Sequence, residues 1–417
     1  MQILILGAGV VGLTSAYYLN RAGHEVIVVD RQPAVARETS FGNAGQLSYS
    51  YVAPLAGPGV LSKLPSWLLK PHSPVRFTPS ASPEQWRWCM QFMLACTRRR
   101  SDLSTRQLLS LSFLSRELIH QLIAEEPDFD FDFTRSGKLV LHRDATAMQQ
   151  AVALLEFQRS LGCEQEALDA DQCVALEPAL AGVRAQLAGG IYTASEDTAD
   201  CHRFCQNLEA LLRRRGVQFE LGTPIDALRT GTHGRVQAYS GTRPIAADQI
   251  VVASGIGSAR LLKPLDVRVP VYPLKGYSLT YALGPASTAP RLSVTDFSRK
   301  IVYARLGERL RVAGMADLDG YSTALNPRRL GTLRAETAAL FPMTAAEQGA
   351  ALEWTGLRPA TPRGTPIIGR TPYRNLWLNV GHGALGFTLA MGSARVLTDW
   401  IGGQPDALLA DSFALRY

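Results

Sequence analysis

Gly7-Ala8-Gly9-Val10-Val11-Gly12 sets three glycines where a backbone could be brought against a negatively charged group. Gly7 permits a tight turn, Gly9 lets the main chain approach a pyrophosphate, and Gly12 lets the next helix pack close. The pyrophosphate itself would rest on the positive end of that helix's dipole. Asp30 follows, placed to accept hydrogen bonds from a ribose diol, with Arg31 beside it. The chemistry is dinucleotide binding. Taken alone, this unit leaves NAD and FAD both open.

These residues need a strand–turn–helix–strand frame to position them, and the chain supplies one. Ile3-Leu4-Ile5-Leu6 is the short apolar run of a parallel strand buried on both faces. Leu13, Ala16, Tyr17 and Leu19 keep a helical pattern that stops at Gly23. A second strand from Val26 to Val29 ends on Asp30. Three further stretches favour FAD. Glu38-Thr39-Ser40 and Asn43-Ala44-Gly45-Gln46 are small and polar where the flavin half would arrive. Ile250 to Ala253 reads as a strand running into Ser254-Gly255-Ile256-Gly257. Leu376 to Val380 is another, followed by Gly381-His382-Gly383-Ala384-Leu385-Gly386 and a helix from Phe387 and Thr388 to about Ile401. That helix start aims free N–H groups at something negative, and a reduced flavin carries such charge at its N1–C2 carbonyl edge.

The 417 residues are too many for one ordinary domain, so two are expected. With 46% hydrophobic and 19% charged residues, composition excludes disorder, collagen and coiled coil. A net charge of +7 is mildly basic, and Arg98-Arg99-Arg100 and Arg213-Arg214-Arg215 read as solvated helix faces. No aromatic-interleaved basic stripe accompanies them, so nucleic acid is not expected as a partner. The six cysteines lack metal-site spacing and are expected as reduced thiols in the cytoplasm. Cys201-His202 and Cys205 have superficial metal spacing on a helix without complementary ligands, so no metal is expected. Met1 to Leu19 is apolar, but it lacks a positive leader and is interrupted by glycines, so neither a signal peptide nor a span is expected.

Together these motifs resemble the FAD-dependent D-amino acid oxidase superfamily, and within it the bacterial D-amino acid dehydrogenases. Tyr272-Pro273-Leu274-Lys275-Gly276-Tyr277-Ser278 and Trp354-Thr355-Gly356-Leu357-Arg358-Pro359 through Thr361-Pro362-Arg363-Gly364-Thr365-Pro366 strengthen the likeness. The resemblance implies an α/β protein with a discontinuous Rossmann-like FAD-binding domain, built from 1–50, 196–265 and 355–417. A substrate domain (51–195 and 266–354) would roof the flavin with an antiparallel sheet. The amphipathic helix over 100–125 and strands near Lys138–Leu141, Tyr277–Tyr281, Ile301–Ala304 and Arg309–Val312 suit such a roof. Cys201 to Arg215 reads as a helix and Val217 to Leu221 as a strand. The resemblance puts that strand's end, with Ile225, beside the adenine.

The implied reaction is oxidation of a D-amino acid at Cα, with hydride passing to flavin N5 and the imino acid hydrolysed to a 2-oxo acid and ammonia. It requires orientation more than a protein nucleophile. Arg358 is expected as the carboxylate clamp, because a guanidinium grips a carboxylate with two parallel hydrogen bonds; Arg305 and Arg311 are alternatives. Tyr277, Tyr303 and either Tyr49 or Tyr51 are expected to finish the pocket, with His382 and Gln46 at the flavin. A quinone is the expected electron acceptor, which makes 57–77, with its Trp, Leu and Lys, a membrane contact or a lid. D-proline or hydroxy-D-proline oxidation, and an oxygen-using oxidase of glycine or sarcosine, are the alternative activities.

Overall fold

The structure is a computed structural model that describes residues 1–61, 73–231, 234–284, 287–341 and 351–416. Its centre is a six-stranded sheet ordered Ile367–Arg370, Leu376–Val380, Gln249–Val252, Gln2–Leu6, Glu25–Asp30, Gln218–Leu221. All neighbours pair in parallel except the edge strand Ile367–Arg370. The strands come from three distant parts of the chain, within the three segments expected for a discontinuous domain. Ile3 and Ile5 enter one core while Leu4 and Leu6 enter another, so the strand is apolar throughout because both faces are covered. The helices Val10–Arg21, Cys201–Arg214 and Gly386–Ile401 supply the first core. A three-stranded sheet spanning Ala227–Ile245 and the segment 262–271 cover the other face.

Strand Gln2–Leu6 is flanked on one side by the next strand in sequence and on the other by Gln249–Val252. Its carboxyl end is therefore a topological switch point, the place where ligands bind in open α/β sheets. The glycine run begins there.

A nine-stranded sheet lies over this layer, ordered Leu352–Ala360, Tyr272–Ala282, Arg309–Leu318, Ile301–Leu306, Ser293–Asp296, Lys138–His142, Gly189–Thr193, Glu166–Leu168, with Val75–Phe77 on Arg309–Leu318. It is mostly antiparallel, but Ser293–Asp296 pairs in parallel with Lys138–His142, as does Val75–Phe77 with its neighbour. Three assignments change. Residues 266–271, expected in the substrate domain, cover the dinucleotide sheet, and Leu352–Ala360, most of it expected in the FAD-binding segment 355–417, is a roof strand. The helix Arg98–Glu125, expected with the roof, buries Leu108, Leu111, Leu118 and Leu122 in the dinucleotide core against Gly386–Ile401. Its amphipathic pattern marked a buried face without saying which layer would bury it.

The roof is fastened to the layer below. Arg309 reaches Asp132 at 2.6 Å and Asp200 at 2.9 Å, while Arg203 reaches Asp132 and Asp130. Arg311, buried on the same strand, donates to the carbonyls of Asn43 at 2.7 Å and Phe41 at 3.5 Å. A Cβ on Gly45 would lie 2.8 Å from Leu306, so the loop lies directly against the roof.

Helix contact under the site is equally close. A Cβ on Gly392 would stand 2.7 Å from the carbonyl of Leu111, whereas one on Gly331, also helical, meets nothing within 4 Å. Gly392→Ala should therefore destabilise by about 1–3 kcal/mol through overpacking. Gly331→Ala should stabilise by about 0.5–1 kcal/mol through helix propensity. Thermal melts of the two variants check the opposite signs.

Candidate active site

The glycine run is held open by contacts a side chain would destroy. Gly7 has φ +116°, and a Cβ there would lie 2.6 Å from the Ala253 carbonyl; one on Gly12 would lie 1.9 Å from the Gly7 carbonyl. Asp30 shapes the turn, accepting from Ala8 N at 2.6 Å and Gln32 N at 2.8 Å. An ionised carboxylate has about four acceptor positions, so Asp30 can still accept from a ribose hydroxyl. Burial raises its pKa, opposed by those two N–H groups. Arg31 is exposed and paired with Glu38 at 2.6 Å. Gly222 N and Thr223 N cap the chain at Gln32 and Asp30, and Ile225 packs beside them on the core of the three-stranded sheet.

Two helix starts face this cleft without an Ncap side chain, those at Val10 and Gly386. The helices beginning at 98, 145, 201 and 327 are capped by Thr97, Asp144, Asp200 and Asn326. An uncapped start keeps its N–H groups and partial positive charge available to an anion. At the first, Ser40 Oγ accepts from Val10 N at 3.1 Å, and Gly9 and Val11 remain partly exposed. At the second, Gly383-Ala384-Leu385 forms a turn after Gly381 (φ +83°), and Thr388 accepts from Ser48 N at 3.2 Å. The intervening loop is fixed by Thr39, which donates to the Leu357 carbonyl at 2.8 Å, and by Asn43, which accepts from Gly45 N at 2.9 Å. Ala44 is partly exposed beside it, and Ser254 closes the strand end by donating to the Leu6 carbonyl. Gly255 (φ +50°) has open space around its missing Cβ.

On the roof, Arg358 lies on the inner face. A Cβ on Gly276 would be 2.3 Å from its Nη2, and its Nη1 donates to the Met315 carbonyl at 2.8 Å. The geometry comes from a β-bulge. Lys275 pairs with Asp317 but Tyr277 with Gly314, so the facing strand carries one extra residue, and Met315 takes φ +65°. Such bulges re-aim groups beside active sites. Burial lowers the Arg358 pKa, partly offset by Asp317, as for a cation lacking an anion at contact.

Residues 2–400 match the family model for FAD dependent oxidoreductases, DAO. The chain belongs to this family. It is 51% identical to a D-amino acid dehydrogenase 2 of Ralstonia nicotianae over 423 residues, covering all of both chains. It is 44% identical to a D-amino acid dehydrogenase 2 of Pseudomonas aeruginosa, covering 98% of this chain and 96% of that one. Among solved structures, glycine oxidase from Geobacillus kaustophilus aligns with a TM-score of 0.80 at 20% identity, over 100% and 98% of the chains. L-proline dehydrogenase from P. horikoshii aligns at 0.76 and 14% identity, over 99% and 96%. These structures share the fold.

The cofactor of a DAO chain is FAD. The side-chain-free cradle at Gly7–Gly12, the acceptor Asp30 and the two uncapped helix starts fit that group.

Several expected site residues stand elsewhere. Because Gly276 faces Arg358, its neighbour Tyr277 faces away, and its hydroxyl donates to Asp317, which pairs with Arg329. Tyr303 shares that outer face, buried edge-on against Phe341. Neither lines the cleft. His382 turns behind its loop to Ser393 at 2.9 Å, and burial drives its pKa down to about 3. Its depressed folded-state value means the fold resists a proton the unfolded chain accepts, so it costs stability as pH falls below the imidazole's usual 6.5. Phe387 offers only its backbone, since its ring packs on Phe204 at 5.3 Å. Arg311 clasps the 41–43 loop rather than a substrate, and Arg305 lies at the strand end with its Nε near the Gly307 carbonyl. Tyr49 is fully buried with its hydroxyl on Asp197 at 3.0 Å. Cys201 and Cys205 are core residues, and His202 packs on Phe41.

Gln46 and Tyr51 are brought together by a residue that the sequence reading passed over, Lys138. Its Nζ donates to Gln46 Oε1 at 3.0 Å and sits 4.3 Å from the Tyr51 ring centroid. A lysine opening the otherwise apolar Lys138-Leu139-Val140-Leu141 was the available signal.

Asp30→Ala removes an acceptor from both the loop and the ribose. FAD retention should weaken by about tenfold to a hundredfold, for one lost hydrogen bond to a charged group at about 1.5–3 kcal/mol. Flavin released on dilution, read by fluorescence, measures it; full loading would remove Asp30 from this role.

Proposed function

We propose that this chain is an FAD-dependent dehydrogenase of D-amino acids, releasing a 2-oxo acid and ammonia after hydrolysis of the imino acid. The observation that carries the reading is Arg358, a half-buried guanidinium on the roof's inner face with one carbonyl partner described. A carboxylate offers it two parallel charge-assisted hydrogen bonds and neutralises its charge. The D-amino acid dehydrogenases of Ralstonia and Pseudomonas, alike over nearly their whole length, support the substrate class. FAD supplies an acceptor for the hydride leaving Cα. The protein's own work is orientation: Arg358 fixes the carboxylate, the bulge at Gly276 leaves room above it, and Gln46 lies along the same inner face.

The electrons go, in this proposal, to a membrane quinone from the cytoplasmic face of the inner membrane. No helix of the described residues is long and apolar enough to cross a membrane. Most of the expected contact at 57–77 lies outside the described residues. A neighbouring surface supports the reading. On helix Pro83–Ala95, Trp86, Met90, Met93 and Leu94 are 52, 53, 47 and 59% exposed. They share one face, opposite the buried Gln85, Trp88 and Ala95, and the exposed Arg98, Arg99 and Arg100 follow. Apolar anchors beside basic groups match a bilayer with anionic headgroups.

Oxygen-free protein mixed with D-alanine, D-proline and L-alanine tests the activity. Bleaching of the flavin by the D-substrates alone is expected, and bleaching by L-alanine alone would overturn the assignment. Arg358→Ala should raise KM by about a hundredfold or more, two lost charge-assisted bonds at about 1.5–3 kcal/mol each, while flavin stays bound. An unchanged KM would remove Arg358 from the clamp.

For the surface, wild type should sediment with vesicles containing phosphatidylglycerol, and a Trp86→Ser, Met90→Ser, Leu94→Ser variant should stay in solution. Equal sedimentation of the two would exclude this helix as the contact.

A further inference from the structure

The roof's inner face carries a second buried cation that the reaction leaves unused. Lys138 is 2% exposed, and besides Gln46 it donates to Ser48 Oγ at 2.7 Å. Ser48 N in turn donates to Thr388, in the first turn of the uncapped helix Gly386–Ile401, so ammonium and helix start flank the same short stretch. The opposing charge is Glu196, also buried, whose Oε1 accepts from Ser50 N at 2.7 Å and whose Oε2 has no described partner. Ser293 Oγ, beside Lys138 in the sheet, and Thr198 Oγ1, opposite Gln46, are buried and unpartnered too. Polar atoms buried in this way are held by internal water, which carries protons.

We propose that Lys138 takes up a proton when the bound flavin is reduced, with Glu196 poised opposite to keep it exchangeable. The inference rests on the FAD site described above. Reduction consumes two electrons and one proton to give the anionic reduced flavin. Where Lys138 begins neutral, a second proton from solvent converts its amine to ammonium, and the new positive charge balances the new negative one.

The surrounding groups allow this. The segment 49–51 contributes Tyr49 and Tyr51, and the entry to the short strand Asp197–Thr198 contributes Glu196 and Asp197. Helix Arg98–Glu125 contributes Arg116, over the Tyr49 ring, and the part-exposed His120, on Asp197 at 2.7 Å; Cys163 lies near Glu196. Burial lowers the Lys138 pKa, opposed by Glu196, and raises that of Glu196, opposed by Lys138. A nearby anion raises a lysine's pKa. Above the lowered Lys138 pKa of the oxidised protein, then, reduction draws two protons per two electrons, until the raised value is passed.

Potentiometric titration of the purified holoprotein between pH 6 and 10 tests the assignment. For a two-electron couple each proton contributes about 30 mV per pH unit, the equivalent of a tenfold change. Wild type should follow one proton at the acidic end of this range and steepen to two within it. Lys138→Met should keep the one-proton slope throughout and lie lower at pH 7 by at least a tenfold change in the equilibrium. Lys138→Arg should keep the wild-type potential at pH 7 but lose the break. Glu196→Gln, which removes the charge that favours ammonium, should move the break to lower pH. A break that survives in both Lys138 variants, or a Lys138→Met potential equal to wild type, overturns the proposal while leaving the FAD site intact. Wild-type protein that cannot be loaded with FAD refutes the site itself, and the proposal with it.

Discussion

Positive charge buried without a carboxylate at contact is the constraint on which this structure turns. The cleft between the layers must offer anions something to bind, so its N–H groups and cations cannot be neutralised beforehand. The two helix starts at the cleft are free of Ncap side chains, whereas Thr97, Asp144, Asp200 and Asn326 cap helices elsewhere. The chain holds Arg358 on a carbonyl, Arg311 on two carbonyls and Lys138 on an amide and a hydroxyl. An isolated charge in a protein interior costs several kcal/mol even after relaxation. The large apolar cores on both sides of the dinucleotide sheet, and under the outer face of the roof, offset that cost.

Much of this was legible because some signals are local. The Gly7–Gly12 run, the apolar strand before it and the acid ending the next strand are one-dimensional facts with one good structural solution. So are the glycine loop and helix at the carboxyl end. The facing of a strand residue is different in kind. Tyr277 and Tyr303 were correctly read as strand residues, but alternation gives only which neighbours share a face, not which face is inner. Gly276 decides it, because only a residue without Cβ admits the Arg358 guanidinium. The extra residue opposite it also shifts the parity along the neighbouring strand.

The helix Arg98–Glu125 and His382 show the same limit. Amphipathic periodicity requires that Leu108, Leu111 and Leu118 be buried, and is silent about the partner. That partner is Gly392, a small residue on a distant helix, and such a contact leaves no pattern in either segment. His382 sits in a loop whose backbone does face the cleft. Its side chain is taken by Ser393 eleven residues on, a contact that leaves no local pattern in the sequence.

Rigidity between the layers is what lets so few groups define a site. Arg358 must keep a fixed relation to helix starts that belong to the other layer, and misplacement by even an ångström is costly for a reaction that depends on orientation. The clasp is correspondingly redundant. Arg309 bridges Asp132 and Asp200, Arg311 grips the 41–43 loop, Thr39 ties the same loop to Leu357, and Gln46 reaches the Val294 carbonyl. These ties run from three different roof strands to the short loop and the helix start beneath them. No single strand can shift without straining the rest, so the inner face moves as one body or not at all. Arg358 and Lys138 stand far apart on that face, on the edge strand Leu352–Ala360 and on the interior strand Lys138–His142, with four strands between them. Their charges therefore act on different parts of whatever lies beneath: one on the carboxylate that enters with the substrate, the other near the loop and helix start where reduction places its charge.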